Sequence, residues 1–206
     1  MRVPPMRLFV LARHGESVLN YQSLVNGDPS IPAPLTERGR EQARLLGLQL
    51  RSLPLDACVH TRFGRTIETA EIATEGRGVS LLEQELFDDI KLGELEGRTI
   101  ADYRTWKRAH TRADRFPGGE SLDEAAARYA EAFRGLLAGP QACVLVVCHE
   151  IPIRYALNAA AGSDDLDSPV HDVPNATPFL FDEAALARAA DRIELLSGAS
   201  GTRSRR

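Results

Sequence analysis

The sequence predicts an α/β fold, a three-layer α/β/α sandwich around a mostly parallel sheet. Uninterrupted apolar runs at 8–12 and 142–148 have the length and composition of strands covered on both faces. Between and after them, strand-like and helix-like stretches alternate, which implies parallel pairing with right-handed crossovers. At 206 residues, 43% hydrophobic and 26% charged, the chain can bury a substantial core, read as one domain over 1–196.

The first strand, 8–12, runs straight into Arg13-His14-Gly15-Glu16. Ligands of open α/β sheets bind at the carboxyl ends of strands, so a site is expected to begin at Arg13 and His14. Arg offers a planar fork for phosphate oxygens, and His a nucleophile or acid/base usable near neutral pH. The loop over 17–34 carries Asn20, Asn26, Gly27 and three prolines; a loop this long beside a site is read as functional. Thr36 then caps a helix whose Ala43, Leu46, Leu50 and Leu53 recur at helical spacing. A second strand is read at 55–60, an exit loop at 61–65 and a helix at 66–74.

The stretch 79–87 reads as a short strand with its exit, and 88–97 as an acidic, glycine-punctuated loop. A basic amphipathic helix with the only Trp, Trp106, is expected over 99–115 and is broken at 116–120. Ser121 and Glu124 form a capping box for a helix striped by Leu122, Ala126, Tyr129, Phe133 and Leu136. Gly139-Pro140 ends it. The run 142–148 follows and stops at His149, with a helix at 151–161. Late strands are expected at 177–181, at an edge, and at 193–196; the Gly/Ser/Arg-rich 197–206 is read as a disordered tail.

A net charge of −4 argues against a nucleic-acid partner. Cys58, Cys143 and Cys148 are odd in number and suit buried thiols in a reducing cytoplasm, and no Cys/His cluster suggests a metal. No apolar stretch approaches membrane-spanning length, and 1–9 is too short and proline-bearing for a signal peptide. A cytoplasmic location is expected.

Two apolar strands therefore end in histidine, and as parallel neighbours they would bring both imidazoles to one rim. Arg65 stands at a helix head, where anions are favoured, and Asp88, Asp89, Glu94 and Glu96 cluster in another loop. Such a rim suits phosphoryl transfer. Arginines neutralise the phosphate, one imidazole attacks, and a carboxylic acid protonates the leaving oxygen.

These segments resemble, in order, those of the histidine phosphatase (phosphoglycerate mutase-like) superfamily. The signature is Arg13-His14-Gly15-Glu16, with Asn20 six residues after the histidine and Asn26-Gly27 for a usual Gln-Gly. Pro34-Leu35-Thr36 with Gly39 and Gln42-Ala43 is similar to PLTxxGxxQA, and Arg65 with Thr69-Ala70 to RAxxTA, Thr66 replacing Ala. Asp89, Gly93, Glu96 and Gly97 resemble ExxxGxxEG with Asp for Glu. Pro117 to Ser121 resembles PGGES, and Val147-Cys148-His149 the VSH before the second histidine.

The resemblance implies a phosphoglycerate mutase-like fold and a phosphohistidine formed on His14. Arg13, Arg65 and His149 would bind the phosphoryl oxygens, Asn20 would add a donor and Gly27 a backbone N–H. Asp89 would protonate the leaving group and then take a proton from water, with Asp88 and Glu94 as substitutes. To be protonated near neutrality Asp89 needs a raised pKa, from burial or from Asp88. No metal or other cofactor is implied, and the partner is a small phosphate ester, with a homodimer as the candidate assembly. Leu24 stands where an Arg is frequent, and Glu150 where glycine is usual, read as a surface residue at a helix start. Lys91, Arg98, Arg104, Lys107, Arg108 and Arg112 are read as a solvated face rather than a lid. The short interval 97–117 and Leu24 favour a phosphomonoesterase over a bisphosphoglycerate-dependent mutase; an inactive phosphate-binding scaffold is the remaining alternative.

Overall fold

A computed structural model of the chain describes residues 7–203. The reading of 1–9 as lacking a leader falls mostly outside that span, as does 204–206 of the tail read as disordered. Five strands, β1 (Leu8–Arg13), β2 (Ala57–His60), β3 (Ser80–Glu83), β4 (Cys143–Cys148) and β5 (Pro178–Asp182), form one sheet in the order β3-β2-β4-β1-β5. All pairings are parallel except that of β5 with β1, which is antiparallel. The α/β class with a mostly parallel sheet is as the sequence predicts.

The alternation of side chains along each strand divides the core in two. Phe9, Leu11, Val144 and Val146 face one way, under α5 (Leu122–Ala138), α6 (Glu150–Ala160) and α7 (Glu183–Arg203). Val10, Ala12, Leu145 and Val147 face the other, under α2 (Glu37–Gln49) and α3 (Gly64–Ala73). That is why the two runs show no polar alternation: both faces are covered. Side chains such as Leu46 and Phe133 are fully buried, each worth about 1.5–3 kcal/mol relative to exposure.

The register fixes what the sheet presents at its edge. Arg13 lies opposite Cys148, so His14 and His149 leave adjacent strands side by side. The His14 backbone N–H donates to the Cys148 carbonyl at 3.0 Å.

Several elements differ from the sequence reading. The residues read as a strand at 193–196 lie within α7, whose Leu186, Ala189, Ala190 and Ile193 are buried at helical spacing. Three of the positions that reveal its period are small or fall outside the apolar run, so the short run dominated. α7 also enters the span read as a tail, reaching Arg203. The basic helix is shorter than expected, α4 (Ile100–Ala109), because its capping box at Thr99 and Asp102 starts it and a Thr111–Asp114 turn replaces its last part. The 17–34 loop contains one helical turn, α1 (Val18–Tyr21), boxed by Ser17 and Asn20. α3 begins at Gly64 rather than after Arg65, placing Arg65 in its first turn. No helix among the described residues is long and apolar enough to cross a membrane, and the three cysteines are free and buried.

Candidate active site

At the carboxyl end of β1, the turn carrying His14 is held by backbone contacts that admit only glycine. A Cβ on Gly15 would lie 2.4 Å from the Gly39 carbonyl oxygen, and one on Gly39 would lie 2.1 Å from that of Glu16. Thr36 and Gln42 complete the clamp: Thr36 N–H donates to the Glu16 carbonyl at 2.9 Å, and Glu16 N–H to Gln42 Oε1 at 2.8 Å. The segment Pro34 to Ala43 thus fixes the turn after β1.

The His14 ring is oriented by its own neighbour. Nδ1 lies 2.7 Å from the Gly15 carbonyl oxygen, an acceptor, so Nδ1 carries the proton and the Nε2 lone pair faces outward. Arg65 Nε donates to that Nε2 at 3.0 Å. The same guanidinium reaches His149 Nδ1 from Nη2 at 3.2 Å and Asp89 Oδ2 at 3.2 Å. The two imidazoles stand edge to face with centroids 5.4 Å apart.

An N–H from Arg65 makes His149 Nδ1 an acceptor and places the ring proton on Nε2. Nε2 meets Thr61 Oγ1 at 3.1 Å, Thr61 Oγ1 meets Thr66 Oγ1 at 2.8 Å, and Thr66 donates to the Phe63 carbonyl at 2.8 Å. One donor direction satisfies every member of this chain. Burial, followed by the positive charge of Arg65, holds both imidazoles well below the usual histidine pKa. Both rings are therefore neutral at neutral pH, the form in which His14 is a nucleophile.

Asp89 lies beside them, its Oδ2 3.4 Å from His149 Nδ1. Burial raises its pKa, against the opposing pull of Arg65. Asp88 is not the cause: its carboxylate accepts from Arg62 N–H at 3.1 Å and Arg62 Nε at 2.7 Å. It lines a separate hollow with Gly27 and Lys91, while Glu94 is exposed in a third. The acid loop is pinned from α5 and its approach. Glu120 accepts from Lys91 N–H at 2.9 Å, and Arg128 donates to the carbonyls of Leu86 and Asp88 at 2.9 Å each.

Arg13, His14, Asn20, Arg65 and Asp89 line one cleft of about 260 Å³, with His149 immediately behind. The Asn20 carboxamide oxygen serves the Ser17 cap at 3.2 Å, which leaves its amino group as the donor available to a ligand. Gly27 is a correction. Its N–H donates to Glu96 Oε2 at 2.7 Å, and it lies in the hollow with Asp88, outside this cleft. Its glycine is required because a Cβ would sit 1.9 Å from the Ile90 carbonyl oxygen. Asn26, beside it, lines the cleft instead: Asn26 Oδ1 accepts from Arg65 Nη1 and its carbonyl from Nη2 at 3.1 Å.

Nothing in the sequence patterning marks Thr61 or Asn26 as a contact, beyond Thr61 following a strand end as His14 and His149 do. The surface reading of Glu150 is also corrected, since its carboxylate pairs with Arg13 at 3.0 Å. Of the basic residues read as a solvated face, Arg104 and Lys107 line the cleft, and Lys107 and Arg112 pair with Asp167. Leu19, Leu24, Val25 and Ile100 add apolar side chains to the lining of the same cleft. No group of three or more His, Cys, Asp or Glu among the described residues is placed to hold a metal ion.

Residues 9–180 match the family model of the histidine phosphatase superfamily, branch 1. Over 160 residues, 74% of each protein, the chain is 30% identical to a probable phosphoglycerate mutase GpmB of Erwinia tasmaniensis. Its fold is similar to that of a putative alpha-ribazole-5'-P phosphatase from Escherichia coli, with a TM-score of 0.75 and 24% identity over 85% of this chain and 90% of that one. A mycobacterial glucosyl-3-phosphoglycerate phosphatase complexed with VO3 gives 0.70 and 25%, over 84% and 92%.

Proposed function

The chain belongs to the histidine phosphatase superfamily, branch 1, and from that premise we propose a metal-independent phosphomonoesterase acting on a small phosphate ester, with 1–196 as its one catalytic domain. The observation that carries this reading is the Arg65 guanidinium, in contact at once with His14 Nε2, His149 Nδ1 and Asp89 Oδ2. A nucleophile, a cation, a second imidazole and a carboxylic acid with a raised pKa surround one small volume.

In this reading the phosphoryl oxygens take donors from Arg65, Arg13 and the Asn20 amino group, exchanging Arg65's contact with the His14 lone pair for one with phosphate. His14 Nε2 forms a bond to phosphorus as the bond to the ester oxygen breaks, and Asp89 gives that oxygen its proton. The charge gathering on the phosphoryl oxygens is met by preorganised N–H groups rather than by water. His149 gains a reason to protonate once a dianion stands before Nδ1, so it binds phosphate as a cation although it is neutral beforehand. Water then attacks phosphorus, Asp89 takes its proton, and the His14–phosphorus bond breaks.

A bisphosphoglycerate-dependent mutase is the second reading, favoured by the similarity to a probable phosphoglycerate mutase. Against it, Leu24, where the family frequently carries an Arg, lines the cleft together with the apolar Leu19, Val25 and Ile100. Phosphate release from p-nitrophenyl phosphate in EDTA, with wild type and His14→Ala, tests both. Turnover by the wild type and none by the variant supports the phosphatase. Loss in EDTA would contradict the metal-free mechanism, and isomerisation of 3-phosphoglycerate with primer but no hydrolysis would favour the mutase. Binding of phosphate without either reaction would leave the inactive scaffold.

A further inference from the structure

One carboxylate stands against the arginine expected to hold phosphate. Glu150 opens α6 directly after His149. Its Oε2 lies 3.0 Å from Arg13 Nη1, and its Oε1 accepts from Arg154 Nη1 at 2.9 Å. Arg154 donates through Nη2 to Asp167 at 2.7 Å, and Asp167 also meets Lys107 of α4 at 3.3 Å and Arg112 at 2.6 Å. Arg13, Glu150, Arg154 and Lys107 line the cleft, whereas Asp167 does not.

A negative charge beside a dianion site weakens attraction, so its presence calls for a compensating role. Arginine has several rotatable bonds, and an unheld guanidinium would have to be ordered by each arriving ligand. Here the Val173 carbonyl, at 2.9 Å, and Glu150 fix the same nitrogen, Nη1. Arg13 Nε is buried and has no partner among the described residues. The guanidinium is thus anchored at one corner, with another donor left unused.

We propose that Glu150 is the positioning residue of Arg13, and that the chain Glu150–Arg154–Asp167–Lys107 transmits the placement of α4 to it. This rests on Arg13 binding the phosphoryl group, as proposed above. Removing ion pairs that served stability alone would lower the melting temperature and leave phosphate affinity unchanged.

The test compares inorganic phosphate as a competitive inhibitor, kcat and KM for p-nitrophenyl phosphate, and melting temperature in wild type, Glu150→Ala, Glu150→Gln and Asp167→Asn. Glu150→Ala weakens phosphate about tenfold and raises KM by a similar factor, the size of one lost charge-assisted contact. Glu150→Gln keeps the reach to Arg13 but loses the charge of the pair and turns an amino group on Arg13 or Arg154, so its loss of affinity is smaller than that of Glu150→Ala. Asp167→Asn shifts affinity in the same direction as Glu150→Ala by about two- to fivefold, although it stands outside the cleft. Should Glu150→Ala not fold, Glu150→Asp, one methylene short of Arg13, replaces it with the same expected loss. Unchanged phosphate affinity in the shortened variant, or equal damage from Gln and Ala, would overturn the positioning role. An Asp167→Asn that melts earlier yet binds phosphate normally would overturn the transmission from α4. A wild type that neither binds phosphate nor turns over substrate would overturn the phosphatase reading and this inference with it, an outcome distinct from those above.

Discussion

Arg65 Nε sits 3.0 Å from His14 Nε2, so the cation proposed to hold phosphate and the lone pair proposed to attack it meet in one hydrogen bond. In Arg65→Lys a single ammonium cannot reach His14, His149, Asp89 and Asn26 together. The expected loss in kcat/KM for p-nitrophenyl phosphate is about a hundred- to a thousandfold, with a fold unchanged by circular dichroism. A loss below tenfold would mean that the fork geometry does not matter.

Asp89→Asn removes the proposed proton donor. Turnover of alkyl phosphates, whose alkoxide needs a proton to leave, should fall far more than that of p-nitrophenyl phosphate. Equal losses would assign the proton to another group.

The raised pKa of Asp89 sets the sign of a pH effect. The acid must be protonated to act, so kcat for alkyl phosphates falls as pH rises through its pKa. That limb lies above the ordinary carboxylate value of about 3.9. Asp89→Asn should abolish the limb.

His149 and His14 bind protons less readily when folded than when unfolded. Between the unfolded value of about 6.5 and lower pH, the unfolded chain takes up more protons, so stability is full above that value and declines below it. Melting temperature measured from pH 7.5 to 5 should fall in the wild type and fall less in His149→Asn. Asp89 acts with the opposite sign, so the difference between the two proteins, rather than either curve, carries the result.

Gly27→Ala separates two accounts of that residue. If its N–H served a ligand, the variant would bind phosphate poorly but fold well. The close approach to the Ile90 carbonyl instead predicts a loss of stability of about 1–3 kcal/mol or more in urea unfolding.

Strand ends were the most legible part of the chain, because an apolar run stopping at a histidine marks both the sheet and its rim. His14, His149 and Arg65 could be gathered that way, and β1 and β4 do lie side by side. What sequence could not resolve is which member of a pair faces inward: Asn26 reaches Arg65, while Gly27, beside it, turns to Glu96. The partners of Lys107 and Arg112 were equally hidden. Both pair with Asp167, 60 and 55 residues away, and no local period signals a contact at that distance. The α7 helix is illegible where alanines blur the helical stripe, and the Glu150 contact where a carboxylate at a helix start already has a sufficient local explanation.

The imidazoles spring from the two strands at the heart of the sheet, whereas Asp89 hangs from a loop tethered by Glu120 and Arg128. The groups proposed to hold phosphate and the group proposed to deliver a proton are thus mounted on separate parts of the fold, the first on core strands and the second on a loop tied by Glu120 and Arg128. On the proposed mechanism, substitutions around Glu120 or Arg128 would change which alcohols leave while phosphate binding stays as it was.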